Sequence, residues 1–326
     1  MERYEMGKIV CGKLRTVFVL LAFVLVSGCL PVKVVSNMSA KFERVEEVRT
    51  ALEGGSLLVA ETHNGGIEAT GGEGKDCVVT AKIEARAGTV QEAEDLAQKV
   101  KLGFESSNKT VILKIEKPPL GSNQQVTVSL KMTVPRPTKL KLTSYNGSIA
   151  VSGMTDAVNA ETHNGGIAVE QISADVALRT YNGTVTCQAI SGSVDAAGHN
   201  GMIRISFPND APAKTCKVET YNAPIFCEGV PGDLVAKSHN GSITAACSNQ
   251  PAGPRTVTII TYNGDIDFTP PRDFSAQVDL STHNGTINTT LPISVKGKIG
   301  KRLQGTVGSG EGTLRLETHN GSITIR

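Results

Sequence analysis

Hydrophobic positions in this chain recur at every second residue, in short bursts on both sides of a polar turn. Val176, Leu178 and Thr180 precede Asn182-Gly183, and Val185 and Cys187 continue the same phase after it. Leu140, Leu142 and Ser144 with Ile149 and Val151 repeat the arrangement, as do Val158, Ala160 and Thr162 with Ile167 and Val169. Period two on either side of a turn predicts two short, half-buried strands per unit.

The turn itself repeats. It reads Thr62-His63-Asn64-Gly65, Ser144-Tyr145-Asn146-Gly147, Thr162-His163-Asn164-Gly165, Thr180-Tyr181-Asn182-Gly183 and Gly198-His199-Asn200-Gly201. It returns as Thr220-Tyr221-Asn222-Ala223, Ser238-His239-Asn240-Gly241, Thr261-Tyr262-Asn263-Gly264, Thr282-His283-Asn284-Gly285 and Thr318-His319-Asn320-Gly321. All six His of the chain and four of its five Tyr stand in this motif. From Tyr145 the spacings are 18, 18, 18, 22, 18, 23 and 21, with His and Tyr alternating; a last step of 36 spans two periods. Leu303–Val307 falls in that gap and reads as a worn copy, giving ten units from 145 onward. Because equivalent positions match in all units, the fold expected is all-β, a β-solenoid whose two-strand rungs stack ~4.8 Å apart. The alternative is a propeller-like antiparallel meander, since Asn-Gly also marks hairpins.

The solenoid is expected over residues 139–326, and residues 51–138 differ. They carry strand-like runs at Cys77–Glu84, Thr110–Ile115 and Gln125–Val134, with a helix at about 90–102. Thr89 and Glu92 form a capping box, Val90, Ala93, Leu96 and Val100 share one face, and Gly103 supplies the stop. A helix there would cover the open end of the stack, because an uncapped solenoid exposes edge strands. The last strand, Ile323–Arg326, has no cap in sequence, so the C-terminal rung is the expected edge for self-association.

The N-terminus reads as an address. Arg3, Lys8, Lys13 and Arg15 precede the apolar run Thr16–Val26, a basic segment and a hydrophobic stretch too short for the ~20 residues of a membrane span. The ending Val26-Ser27-Gly28-Cys29 resembles the bacterial lipobox. That resemblance implies removal of residues 1–28, lipid (palmitate among it) on Cys29, and, with Leu30 next, anchoring in the outer membrane of the cell envelope. Residues 29–50 are then the lipidated Cys and a linker. Without residues 1–28 the 33 basic and 31 acidic residues become 29 and 29, so no basic footprint for nucleic acid exists. Five cysteines remain: Cys77, Cys187, Cys216, Cys227 and Cys247. Cys187 and Cys227 hold one inward position two rungs apart, ~9.6 Å, too far for a disulfide; a Cys216–Cys247 pair stays open.

The lipobox, the capping helix region and the rung pattern of Thr, Asn-Gly and Ile resemble the DUF4097 family of adhesin-like β-solenoid proteins, over roughly residues 50–326. The resemblance implies an envelope location and a non-enzymatic surface role.

Candidate chemistry centres on the ladder His63, Tyr145, His163, Tyr181, His199, Tyr221, His239, Tyr262, His283 and His319, all facing outward if the Thr beside them face inward. As a metal ladder it is opposed by spacing: the His lie two rungs apart with a Tyr between, whereas zinc bonds to His nitrogen are ~2.0–2.1 Å. Ring stacking accounts for it structurally, and a docking face for sugars or aromatics is the functional reading. The turn asparagines Asn146, Asn164, Asn182, Asn200, Asn222, Asn240, Asn263, Asn284 and Asn320 are explained by turning, Asn tolerating the left-handed region and Gly needing no Cβ there, with a stacked amide ladder as a further expectation. No Ser-His-Asp set emerges, and the outward row two places before the rings reads Thr143, Glu161, Arg179, Ala197, Glu219, Lys237, Ile260, Ser281, predicting Glu161–Arg179 and Glu219–Lys237 pairs rather than an acidic site. No metal or cofactor is expected. Insertions at Phe207–Ala213, Ser248–Arg255, Thr269–Phe274 and Leu291–Lys298 are stiffened by proline and expected along one edge, where a glycan or protein ligand could dock. The expected role is therefore a lipid-anchored, adhesin-like binder or scaffold; a periplasmic envelope-stress or assembly component is the alternative, and a glycan-active β-helix enzyme the least favoured.

Overall fold

The computed structural model describes residues 40–250, 253–295 and 300–326. The expected signal segment and Cys29, the expected lipidation site, lie outside the described residues. Among those described, no helix is long and apolar enough to cross a membrane.

Two long sheets face each other across one core. The N-terminal strands are β1 (Ala40–Ala51), β2 (Leu57–Asn64), β3 (Ile67–Gly72) and β4 (Asp76–Ala87), then helix α1 (Val90–Gln98), then β5 (Lys101–Ser107), β6 (Thr110–Glu116) and β7 (Gln125–Pro135). The regular rungs follow as strand pairs: β8 (Lys139–Asn146) with β9 (Ile149–Ser152), β10 (Val158–Thr162) with β11 (Ile167–Ile172), and β12 (Val176–Thr180) with β13 (Val185–Ile190). Next come β14 (Val194–Ala197) with β15 (Ile203–Ser206), β16 (Cys216–Thr220) with β17 (Ile225–Val230), and β18 (Leu234–Ser238) with β19 (Ile243–Cys247). The chain ends with β20 (Thr256–Asn263), β21 (Ile266–Thr269), β22 (Ala276–Asn284), β23 (Ile287–Thr289), β24 (Ser294–Val295), β25 (Arg302–Val307), β26 (Gly312–Asn320) and β27 (Ile323–Ile325).

Each Asn-Gly turn carries the chain from one sheet to the other, and each strand pairs in parallel with its equivalent one rung on. Val158, Ala160 and Thr162 of β10 register with Val176, Leu178 and Thr180 of β12, and Ile167 and Val169 of β11 with Val185 and Cys187 of β13. This is a solenoid and not a meander of hairpins. The inward rows are fully buried aliphatic residues, with Leu142, Ala160, Leu178, Ala196, Val218 and Ala236 in consecutive rungs of one sheet. Alternating Leu with Ala down the row lets the two sheets interdigitate without rings. Phe268, fully buried and edge-on to Phe274, is an exception near the far end.

Four sequence expectations need correction here. Residues 40–50, assigned to the linker, belong to β1, which pairs antiparallel with β4 along its whole length. The helix ends at Gln98, and Gly103 lies inside β5. Its stop is Arg44, whose guanidinium donates to the carbonyls of Ala97 and Val100; Val90, assigned to the buried face, is exposed. Ala93, Leu96 and Ala97 bury against the open end of the stack as α1 carries the chain from β4 in one sheet to β5 in the other. The worn copy Leu303–Val307 is no rung: β25 runs antiparallel to β22, and a turn with positive φ at Gly308 and Gly310 returns the chain into β26.

The fourth correction is that re-entry. The C-terminal strand β26 lies between β20 and β22, parallel to both, and β27 likewise lies between β21 and β23. The last rung in sequence is therefore internal, and the C-terminal strand is not an edge of the stack. The stack ends instead with β22 and β23, and β25 and β24 cover the edge of β22. At the other end, edge strand β1 is laced with ion pairs, Lys41 with Glu43 and Glu84, and Lys82 with Glu43, a charge density that discourages further strand addition.

Candidate functional site: a ring ladder and its groove

The ladder is continuous and contains all ten predicted rings. In spatial order it runs His63, Tyr145, His163, Tyr181, His199, Tyr221, His239, Tyr262, His319, His283, with neighbouring centroids 4.5–5.1 Å apart. His63 joins it although 82 residues separate it from Tyr145, because β2 pairs directly with β8. The first five steps are flat, at 8–15° between ring planes. Tyr145, Tyr181, Tyr221 and Tyr262 are 44–47% exposed.

Two hydrogen-bond ladders hold the rings in step. On the outer side each turn Asn donates its amide to the amide oxygen of the Asn one rung back, from Asn146 to Asn64 through Asn164, Asn182, Asn200, Asn222, Asn240, Asn263 and Asn320 to Asn284, at 2.7–2.9 Å. On the inner side most of the Thr or Ser residues before the rings donate to the turn carbonyl of the adjacent rung: Thr162 to Gly147, Thr180 to Gly165, Thr261 to Gly241 and Thr318 to Gly264, each at 2.8 Å. Each step also contributes ring contact of roughly 0.2–1 kcal/mol.

The glycines have a different purpose from the one the turn pattern suggests. Among the described residues none of the turn asparagines has a positive φ, and of the turn glycines only Gly65 does. What excludes a side chain is the rung beneath: a methyl at Gly165, Gly183 or Gly201 would stand 2.2, 1.9 or 1.7 Å from the carbonyl oxygen of the preceding turn. The glycine serves backbone stacking, not left-handed turning.

Beside the rings runs a groove of about 560 Å³, bounded by His63, Tyr145, His163, Tyr181 and His199 on one side and by the outward row Glu61, Thr143, Glu161, Arg179 and Ala197 on the other. Its charge pattern departs from expectation. Arg179 pairs with Asp195 at 2.9 Å and not with Glu161, although Glu161 registers with it; Glu219 meets Lys237 at 3.6 Å as predicted. His163, sandwiched between Tyr145 and Tyr181, has a buried Nδ1 without a hydrogen-bond partner. Stacking determines what the ladder offers. Interior ring faces lie against neighbouring rings, so a ligand meets ring edges: phenol hydroxyls and imidazole nitrogens at one per rung. The interior of the ladder thus presents a polar, periodic edge.

Other acidic groups are engaged locally: Asp267 binds Arg326 at 2.8 Å and Asp265 accepts from the Ser322 amide. The insertions partly gather as expected. Gln250 donates to the carbonyl of Asn209, and the Arg272 amide donates to Asn249, so the first three touch along one edge. The fourth turns away into β24, which pairs with β25. Cys77, Cys187, Cys216, Cys227 and Cys247 are all buried free thiols; a Cys216–Cys247 disulfide is absent. Burial pushes the Cys77 thiol up to about 12. A hydrogen bond with Cys227, then burial, pushes Cys216 well above the usual thiol range.

A family model described as Toastrack DUF4097 matches residues 58–326. Among solved structures, a "putative adhesin" from Bacteroides fragilis NCTC 9343 is 10% identical over 87% of this chain and 97% of its own, with a TM-score of 0.41. A "putative lipid binding protein" from Parabacteroides distasonis ATCC 8503 is 13% identical over 87% and 97%, with a TM-score of 0.34. A "putative cell adhesion protein" from Clostridium sporogenes ATCC 15579 is 11% identical over 86% and 99%, with a TM-score of 0.26. No curated protein gives a significant match.

Proposed function

The chain belongs to the Toastrack DUF4097 family, and on that footing we propose that it is a non-enzymatic binder of an extended, hydroxyl-rich polymer, held at the bacterial envelope by lipid on Cys29. The observation that carries the binding reading is the groove beside the flat half of the ladder, with its row of exposed ring edges. A polymer laid along the stack would meet a phenol or imidazole about every 4.8 Å, with Glu61, Glu161 and Arg179 opposite to accept and donate. Weak contacts repeated on one rigid surface combine as multivalent binding does. The ligand class follows from the same edges: hydroxyls in regular succession, as on a polysaccharide, match them better than an apolar surface does. The non-enzymatic part is supported by membership of the family.

The test pairs location with binding. Cells making the protein and its Cys29→Ala variant are labelled with a lipid precursor, then shaved with protease while intact. Loss of label in the variant supports the anchor, and labelling that survives removes it. Shaving from intact cells supports an outward adhesin-like role; protection until the outer membrane is opened moves the protein to the periplasm. A polysaccharide array probed with the purified chain should give signals that fall in Arg179→Ala and Glu161→Gln; signals unchanged in both would remove the groove.

A further inference from the structure

From His63 to His283 each histidine of the ladder is separated from the next by a tyrosine, and His283 and His319 follow one another without one. Because β26 enters between β20 and β22, His319 lies between Tyr262 and His283. The two imidazoles are parallel to within 5°, their centroids 4.6 Å apart, and Thr282 and Asn284 register with Thr318 and Asn320 on either side of them. Among the described residues, this is the sole pair of adjacent histidines in the stack. We propose that His283 and His319 form a two-imidazole site for a divalent transition metal, with Cu²⁺ bound most tightly.

The chemistry suits such an ion. Imidazole is a ligand for copper, nickel and zinc, and Cu²⁺ stands at the top of the divalent affinity order. Two bonds of ~2.0–2.1 Å let a metal span nitrogens ~4 Å apart, but imidazole lone pairs lie in the ring plane, so one of the two parallel rings must turn well out of the stack about χ2 to aim at a shared ion. His283 has that freedom: it is exposed and is the terminal ring, whereas the other face of His319 is covered by Tyr262 at 4.6 Å and 4°. Glu317 borders the same cavity of about 470 Å³ but is bound to Arg315 at 2.7 Å. No cluster of three or more His, Cys, Asp or Glu among the described residues is placed to hold a metal, so water completes the coordination.

The test is a Cu²⁺ titration of the full chain, followed by calorimetry and by electron paramagnetic resonance. The site predicts one tightest Cu²⁺ per chain with two equivalent nitrogen couplings. His283→Tyr and His319→Tyr, which place at these positions the ring that occupies other rungs, should each weaken that binding by about 100-fold through loss of the second ligand on one surface. His239→Tyr, altering a histidine flanked by tyrosines, should leave it unchanged. Single-nitrogen coordination, binding indifferent to both substitutions, or an equal loss in His239→Tyr would each overturn the proposal. Circular dichroism of the three variants separates loss of a ligand from loss of the fold, and His283→Tyr at the ladder's end keeps the test open should an internal substitution unfold the chain.

Discussion

The ladder is flat from His63 to Tyr221 and tilted immediately after it, and the two stretches differ in one turn residue. Up to His199 every turn has Gly, whereas the rung of Tyr221 has Ala223. The hydroxyl of Thr220 reaches the Gly201 carbonyl at only 3.4 Å, against 2.8 Å for Thr162 and Thr180. The next two ring pairs open to 45° and 50°. Both tilted pairs share His239, and the backbone and amide hydrogen bonds from Asn222 to the rung beneath stay at 2.8 Å, so the departure lies in the turn of that one ring and in the longer Thr220 contact. Flatness is restored at Tyr262–His319, at 4°, where Gly264 and Gly321 again meet back to back. A binding face made of repeated edges is thus as regular as the turn of each ring, even where the backbone spacing holds.

The largest effect that breaks this contrast should come from Gly183→Ala, which puts a methyl 1.9 Å from the Gly165 carbonyl in the tightest half of the stack. A loss of about 3 kcal/mol is expected by urea unfolding, at the upper end for overpacking because backbone and not a side chain must move. Thr180→Val keeps the shape and removes the inner donor, so a loss of about 1 kcal/mol is expected by the same measurement. Ala223→Gly is smaller still, within about 1 kcal/mol, because relief of the contact offsets the flexibility of glycine; its signature is structural, a shift of the Tyr221 and His239 ring resonances towards those of the flat half.

The core thiols straddle the junction, with Cys187 before it and Cys216, Cys227 and Cys247 after it. Burial chiefly pushes up Cys187 and Cys247, and a hydrogen bond with Cys227, then burial, pushes up Cys216. Folded thiols that hold protons the unfolded chain releases above ~8.5 stabilise the fold below that pH. That contribution is expected to fade as pH rises through the range towards 12 reached by Cys77. Urea midpoints at pH 8 and pH 10 should show the decline, and native-state alkylation at pH 8 should be slow at every core Cys.

Much of this was legible in the residues. Period two, the constant phase about the turn Asn and the recurring spacing of 18 to 23 residues specify rung, inward row and ladder, because each is a local pattern repeated. What was not legible is long-range. Nothing near Leu303 says that the chain reverses there, since β25 has the same apolar alternation as a rung; only the pairing of β26 with β20 reveals it. The role of the glycines was misread for a related reason: the atom that excludes a side chain belongs to another rung. The groove was missed because Glu61 and Tyr145 become neighbours only when β2 meets β8. Arg44 as the helix stop was equally hidden, 53 residues from the carbonyl it caps.

The central claim is that ligand is read by ring edges and not by ring faces. It is tested most directly by Tyr145→Phe combined with Tyr181→Phe, which keeps both rings in the stack and removes only their hydroxyls. Affinity is measured for the polysaccharide that gives the strongest array signal, alongside the urea midpoint. An affinity loss of about tenfold, the worth of one or two hydrogen bonds, with an unchanged midpoint, is the result expected. Undiminished affinity in the double variant would contradict the account.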